Sequence, residues 1–351
     1  LFRDFFDLTT LHYLNPKTKR AMKKNIILFT LFSFVFGFSQ NIIFSKEKLE
    51  QLNQFNLENK SRAFIIFQNG KIINEKYFGT KIIYKQSFDA DSNWYWASAG
   101  KSLTAVLIGI AQQENLLNIN DPVSKYLGKW TGMDKSAEDK ITIRNLLTMT
   151  SGLDYSKDQV CEYGNCFVLK NPAGNFWYYD TSAYSQLAKV IEKASHKSMD
   201  EYTSEKLSGS GISGKWIPYE NGLVFSSTAK SFLQFGKLVL NKGKLNEKIY
   251  YKYDSYFQQM TDTSQDLNPS YGYLWWLNGK EEARVPGFEK SFKQSLVPGA
   301  PKDMFCALGK NGQILDIVPS KNLIIVRMGE NPNVYSNMIK FHRELWDKIL
   351  K

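Results

Sequence analysis

The chain has three histidines and three cysteines in 351 residues, no long apolar run, and no block of five or six like charges. Each scarcity excludes something. His12 lies near the start, His196 in a polar stretch (KASHKSMD) and His342 in a charged C-terminal stretch. None has the context of a catalytic base, so a Ser-His-Asp triad finds little support and lysine and tyrosine become the base candidates for serine chemistry. Cys161 and Cys166 (CEYGNC) have no nearby histidines to complete a metal ligand set, and Cys306 is left over, expected as a buried free thiol. No metal and no cofactor is expected. The formal charge of +11 is dispersed, which reads as a solvated basic surface and not as a nucleic-acid partner. Repeats and low-complexity linkers are also lacking, so the reading is one globular unit with two lobes.

The apolar run from Ile26 to Phe38 is shorter than the roughly 18 residues of a membrane span. With Met22, Lys23 and Lys24 before it and Gly37 and Ser39 at its end, it reads as a signal peptide over 22–39. Residues 1–21 precede a plausible start and read as an over-extended N-terminus. The first 39 residues carry a net +4, leaving +7. The expectation is an exported protein, periplasmic or secreted, beginning near Gln40, with no transmembrane anchor in the mature chain. In that compartment Cys161 and Cys166 are candidates for a small-loop disulfide. Oligomeric state is not readable.

Residues 62–78 (RAFIIFQNGKIINEKYF) place two β-branched runs around Asn69-Gly70, predicting a hairpin. Strands are also predicted over Tyr271–Leu277, Met304–Leu308, Gln313–Val318 and Leu323–Met328, and a final helix over Val334–Leu350. Between them lie helical patterns following Ser98, over Ile141–Thr150, after Asp180-Thr181-Ser182 and over Thr228–Asn241. The fold class is therefore α+β: an antiparallel sheet flanked by terminal helices, plus a helical lobe. The expected division is a sheet lobe of about 40–97 and 235–351, a helical lobe of about 98–234, and a pocket between them.

The pattern Ser-x-x-Lys occurs three times. Ser45–Lys48 reads as solvated surface and Ser227–Lys230 as a helix cap. Ser98–Lys101 differs, with aromatics before it (Trp94-Tyr95-Trp96) and Leu103, Val106, Leu107, Ile110 and Ala111 after it at helical spacing. There i and i+3 share a face, so a hydroxyl and an amine would meet at a helix N-terminus, where positive potential suits a developing oxyanion. The bland alternative is a capping serine with a surface lysine.

The order of motifs resembles the serine β-lactamase-like hydrolases: class C β-lactamases, D-alanyl-D-alanine carboxypeptidases, related esterases and 6-aminohexanoate-dimer hydrolases. The similarity runs from about Phe64 to Arg327. Its carriers are Ser98-Ala99-Gly100-Lys101, the stretch ITIRNLLTMTSGLDY, Tyr179-Asp180-Thr181 in place of Tyr-x-Asn, and Ala307-Leu308-Gly309 in place of Lys/His-Thr-Gly. The resemblance implies a β-lactamase/transpeptidase-like fold. It implies Ser98 as nucleophile, Lys101 and Tyr179 as its proton-transfer network with the acceptor undecided, and the backbone N–H groups of Ser98 and Lys310 as oxyanion hole. Thr181, Ala307 and Gly309 are implied to face the substrate, and Trp94, Tyr95, Trp96, Trp177, Trp275 and Trp276 are expected to offer it an aromatic, apolar wall. Thr181 and Ala307 depart from the family pattern. Together with YGYLWW they place the chain nearest the 6-aminohexanoate-dimer hydrolase and esterase branch. The implied partner is a small-molecule ester or amide. The alternatives are a penicillin-interacting D-Ala-D-Ala peptidase or β-lactamase-type enzyme, and a non-catalytic binding or sensor domain.

Overall fold

The computed structural model describes residues 42–81, 86–154, 167–219, 222–332 and 338–351. The leader (1–21 and 22–39) and the Cys161–Cys166 pair lie outside the described residues. Helix α1 (Lys46–Glu58) opens the fold, with Ser45 accepting a hydrogen bond from Lys48 N as its N-cap. Ser45 is thus both a helix cap and, as expected from its charged neighbours, exposed to solvent. Strands β1 (Ser61–Gln68) and β2 (Lys71–Tyr77) follow, joined at Asn69 and Gly70, both at positive φ as the expected hairpin requires. After β3 (Trp94–Tyr95) comes α2 (Gly100–Gln113), in which every residue from Gly100 to Ala111 is buried. It is a central helix enclosed on all sides, not the one-faced helix its periodicity suggested.

Helix α3 (Thr181–Ser195) is capped by Asp180. A hairpin of β4 (Lys215–Tyr219) and β5 (Gly222–Ser227) leads into α4 (Ala229–Leu240). The cap of α4 is Thr228, not Ser227; Ser227 is buried at the end of β5 and accepts from Trp96 Nε1 at 2.7 Å. A small pair, β6 (Lys244–Leu245) and β7 (Lys248–Ile249), precedes β8 (Trp276–Leu277). The strand expected over Tyr271–Leu277 is only these last two residues, because Leu274 takes a positive φ and Gly272 N turns back to Trp275 O. Strands β9 (Phe305–Gly309), β10 (Gln313–Val318) and β11 (Leu323–Gly329) and helix α5 (Met338–Leu350) close the chain.

The main sheet is antiparallel, in the order β2-β1-β11-β10-β9-β8. Strands from the two ends of the chain therefore pair, Ser61 opposite Gly329 and Gln68 opposite Leu323. Strands β1, β10 and β11 are buried almost throughout, as strands covered on both faces must be. On one face α4 brings Gly236 close against Leu315 and Ile324. On the other, α1 and α5 pack together, with Phe55 stacked on Phe341 at 5.5 Å. A second sheet, β3-β5-β4, carries the approach to Ser98. Among the described residues no helix is long and apolar enough to cross a membrane.

Candidate active site

Ser98 sits in the middle of a 3-10 turn, Ala97–Ala99, wedged between β3 and α2. The aromatic run before it is an anchor. Trp94 and Tyr95 pair with Ser227 and Ser226, and Trp96 N donates to Phe225 O at 2.8 Å. The Trp96 ring stacks on Phe232 and meets Phe225 edge-on. Chain held this firmly tolerates strain, and Ala97 takes a φ of 49° directly before the serine. A left-handed alanine costs about 1–3 kcal/mol, retained only where surroundings over-determine it.

Lys101 Nζ donates to Ser98 Oγ at 3.2 Å. The lysine is 5% exposed, at the edge of the cleft beside Ser98. It lies 4.3 Å from the ring centroid of Tyr184 and 5.3 Å from that of Tyr179. Tyr184 is fixed through its hydroxyl to Thr104 at 2.9 Å, and burial pushes its phenol up to about 12. Tyr179 stacks on Trp276 at 5.7 Å, with the Ser98 hydroxyl among the groups that act on its phenol. Burial raises the Tyr179 phenol well above its ordinary range, and the Ser98 hydroxyl opposes that rise. Hydroxyl, amine and phenol thus converge, an arrangement able to take a proton from Ser98 and return it to a leaving group.

A cleft of about 580 Å³ opens beside Ser98. Lys101, Thr181, Ser182 and Ser185 line it on the side of α2 and α3; Ile217, Tyr219, Leu223 and Val224 of the β4–β5 hairpin line it on another. Tyr95, Lys310 and Asn311 complete the rim, with Asn311 Nδ2 donating to Tyr95 Oη at 2.7 Å. Of the residues expected to face substrate, Thr181 lines the cleft. Three do not. Trp275 is fully buried between Phe235 and Phe305. The other tryptophans expected as an apolar wall, Trp94, Trp96, Trp177 and Trp276, are buried too. Large rings contribute more to the core than to a wet cleft, and the hairpin supplies the apolar wall instead. Ala307 is wholly buried opposite Leu315. Gly309 is buried because β9 runs against the serine turn: a Cβ built there would sit 2.3 Å from Trp96 O and 3.1 Å from Ala97 Cβ. Its role is close approach, which brings Lys310 to the cleft.

Two elements of the site went unread. The hairpin had a signal: Asn221-Gly222 between the apolar residues of KWIPY and GLVFSS. Arg327 had none. It is wholly buried, and its donors reach Ser61 Oγ and the carbonyls of Asn59, Asn311, Gly312 and Glu330. It holds the turn that carries Lys310.

Comparison with known proteins bears on the fold and the family. An uncharacterized protein of Alkalihalophilus pseudofirmus is 24% identical over 300 residues, covering 76% of this chain and 82% of its own. A provisionally named 6-aminohexanoate-dimer hydrolase from Bacillus anthracis superposes with a TM-score of 0.66 at 19% identity, over 85% of this chain and 81% of that one. EstCE1, a hydrolase with promiscuous acyltransferase activity, superposes at 0.65 and 13% identity, over 87% and 98%. At these identities the solved structures speak to the fold, which is the β-lactamase/transpeptidase-like α+β fold. Residues 57–331 match the sequence profile of the Beta-lactamase family, and the chain therefore belongs to that family, the serine β-lactamase-like hydrolases.

Proposed function

We propose that the protein is an exported serine hydrolase that cleaves a neutral ester or linear amide through an acyl-enzyme on Ser98. The observation that carries this is the Lys101 Nζ to Ser98 Oγ hydrogen bond of 3.2 Å, made by a buried lysine at the edge of a cleft. Ser98 Oγ attacks the carbonyl carbon while its proton passes to Lys101 as the free amine or to Tyr179 as the phenolate. The oxyanion is met by the N–H groups of Ser98 and Lys310. The proton then goes to the departing alkoxide or amine, and water, activated by the same pair, releases the acid. The hairpin wall of Ile217, Leu223 and Val224 suits an alkyl or acyl chain, and Thr181, Ser182 and Ser185 offer hydroxyls to the polar part. Ala307 brings no charge to the third motif. A substrate with a carboxylate beside the scissile bond thus forgoes a charge-assisted hydrogen bond, worth roughly 1.5–3 kcal/mol. Export rests on the leader pattern at 22–39.

The test is kcat/KM for a short nitrophenyl ester and for a cephalosporin, with fluorophosphonate labelling of the wild type and of Ser98→Ala, Lys101→Ala and Tyr179→Phe. Expected are preference for the ester, loss of labelling and turnover in Ser98→Ala and Lys101→Ala, and a fall of at least about 100-fold in Tyr179→Phe. A folded, fully active Ser98→Ala would overturn the assignment; a cephalosporin preferred by the wild type would overturn the substrate class.

A further inference from the structure

Cys306 and Asp316 are cross-strand partners on β9 and β10. Side chains alternate along a strand, so Cys306 points away from the face on which Gly309 meets the serine turn. On that far face α5 supplies His342. All three residues are 0% exposed, and one donor atom from each lies within 4.8 Å of the others. Asp316 Oδ2 receives the Trp346 Nε1 hydrogen at 2.7 Å and lies 2.8 Å from His342 Nε2. The other carboxylate oxygen, Asp316 Oδ1, is buried without a hydrogen-bond partner; so is His342 Nδ1, across the ring from the nitrogen that faces the carboxylate. Leaving a buried carboxylate oxygen unpaired is costly, and native proteins keep few such atoms without a ligand or other role.

We propose that Cys306, Asp316 and His342 form a buried site for one divalent cation of the zinc type, ligated by thiolate sulfur, carboxylate oxygen and imidazole nitrogen. The donor set suits that ion, because thiolate and imidazole select a borderline-soft metal over calcium or magnesium. Charge balances as well: thiolate and carboxylate together carry two negative charges and the ion two positive, so the occupied cluster is neutral, as burial demands. Binding displaces the Cys306 thiol proton to solvent, so that the ligand is the thiolate. The reach is short. Zinc–ligand bonds of about 2.0–2.3 Å set ligand atoms roughly 3.5 Å apart, so donors within 4.8 Å of one another need close by little more than an ångström. Trp346 is placed to orient the carboxylate from outside the ligand shell. An ion here would tie β9, β10 and α5 together one residue from Ala307, stiffening the strand that carries Lys310.

The experiment uses the full chain, unfolded in reductant and chelator and refolded with or without one equivalent of zinc or cobalt(II). Metal per chain is read by mass spectrometry after gel filtration, and the cobalt form by absorption. Expected are close to one equivalent, a thiolate-to-cobalt charge-transfer band, and a melting temperature raised by the metal. Cys306→Ala and His342→Gln should lose the equivalent and the band; Cys161→Ser with Cys166→Ser should keep both. The cobalt band of the wild type decides the matter even if a variant misfolds. Refolded wild-type protein without bound metal, or metal retained in folded Cys306→Ala, would overturn the proposal.

Discussion

Gly309→Ala is the sharpest probe of how the strand and the serine turn work together. The residue is extended, with φ of −133°, so alanine is conformationally acceptable there. The obstacle is space. The new Cβ would lie 2.3 Å from Trp96 O and 3.1 Å from Ala99 N, both backbone atoms that no rotamer change can move. Relief requires β9 and the turn to separate by about an ångström. If the N–H groups of Ser98 and Lys310 form the oxyanion hole, that shift misplaces one of them, and losing one such donor costs roughly 10²–10³ in kcat. Overpacking should also remove about 1–3 kcal/mol of stability. The assay is kcat and KM on a nitrophenyl ester, alongside urea unfolding. Expected is a kcat lowered about 100-fold with KM changed little, since an interaction made only in the transition state is lost. Gly100→Ala is the control. It lies two residues after Ser98, but its Cβ meets only ordinary contacts at 3.6 Å, so activity should persist. A Gly309→Ala enzyme that loses stability yet keeps kcat within about threefold would refute the assignment of this strand to oxyanion stabilisation.

Arg327→Lys should cost about 2–5 kcal/mol in urea unfolding, because an ammonium has three donors where five contacts need filling, and each stranded carbonyl carries its desolvation penalty; a loss under about 0.5 kcal/mol would show that water replaces the guanidinium. Leu223→Ser should reduce the preference for hexanoate over acetate nitrophenyl esters about tenfold, given about 0.8 kcal/mol per buried methylene, while acetate turnover stays near wild type. An unchanged chain-length profile would remove the hairpin from the acyl site.

Much of the sheet was legible because its strands carry local signals. Asn69-Gly70 announced the first hairpin, and β9 to β11 fell within a residue of where β-branched runs placed them. The convergence of Ser98 and Lys101 was legible for the same reason, since it depends on one helical turn. What failed was anything set by burial from afar. Aromatic residues marked a wall in the sequence, but whether Trp275 faces a cleft or Phe305 depends on strands thirty residues away. The Ser45 cap was hidden by a helix whose outer face is charged. Arg327 and the group of Cys306, Asp316 and His342 show the limit most clearly. Positions 306, 316 and 342 follow no ligand spacing, and only the pairing of β9 with β10 under α5 brings them together.

The pairing of β1 with β11 bears on how the chain is made. Roughly 250 residues separate the first hairpin from the strand that covers its inner edge, and at about 5–20 residues per second their synthesis takes on the order of 10–50 s. Throughout that time β1 and β2 form at best a two-stranded ribbon, which is marginal alone. The run Ala63–Phe67, buried in the finished protein, meanwhile presents an apolar strand with an open edge, a template for pairing with other chains. The sheet therefore closes only once β11 has been made, and a chain interrupted before Leu323 keeps that edge permanently exposed.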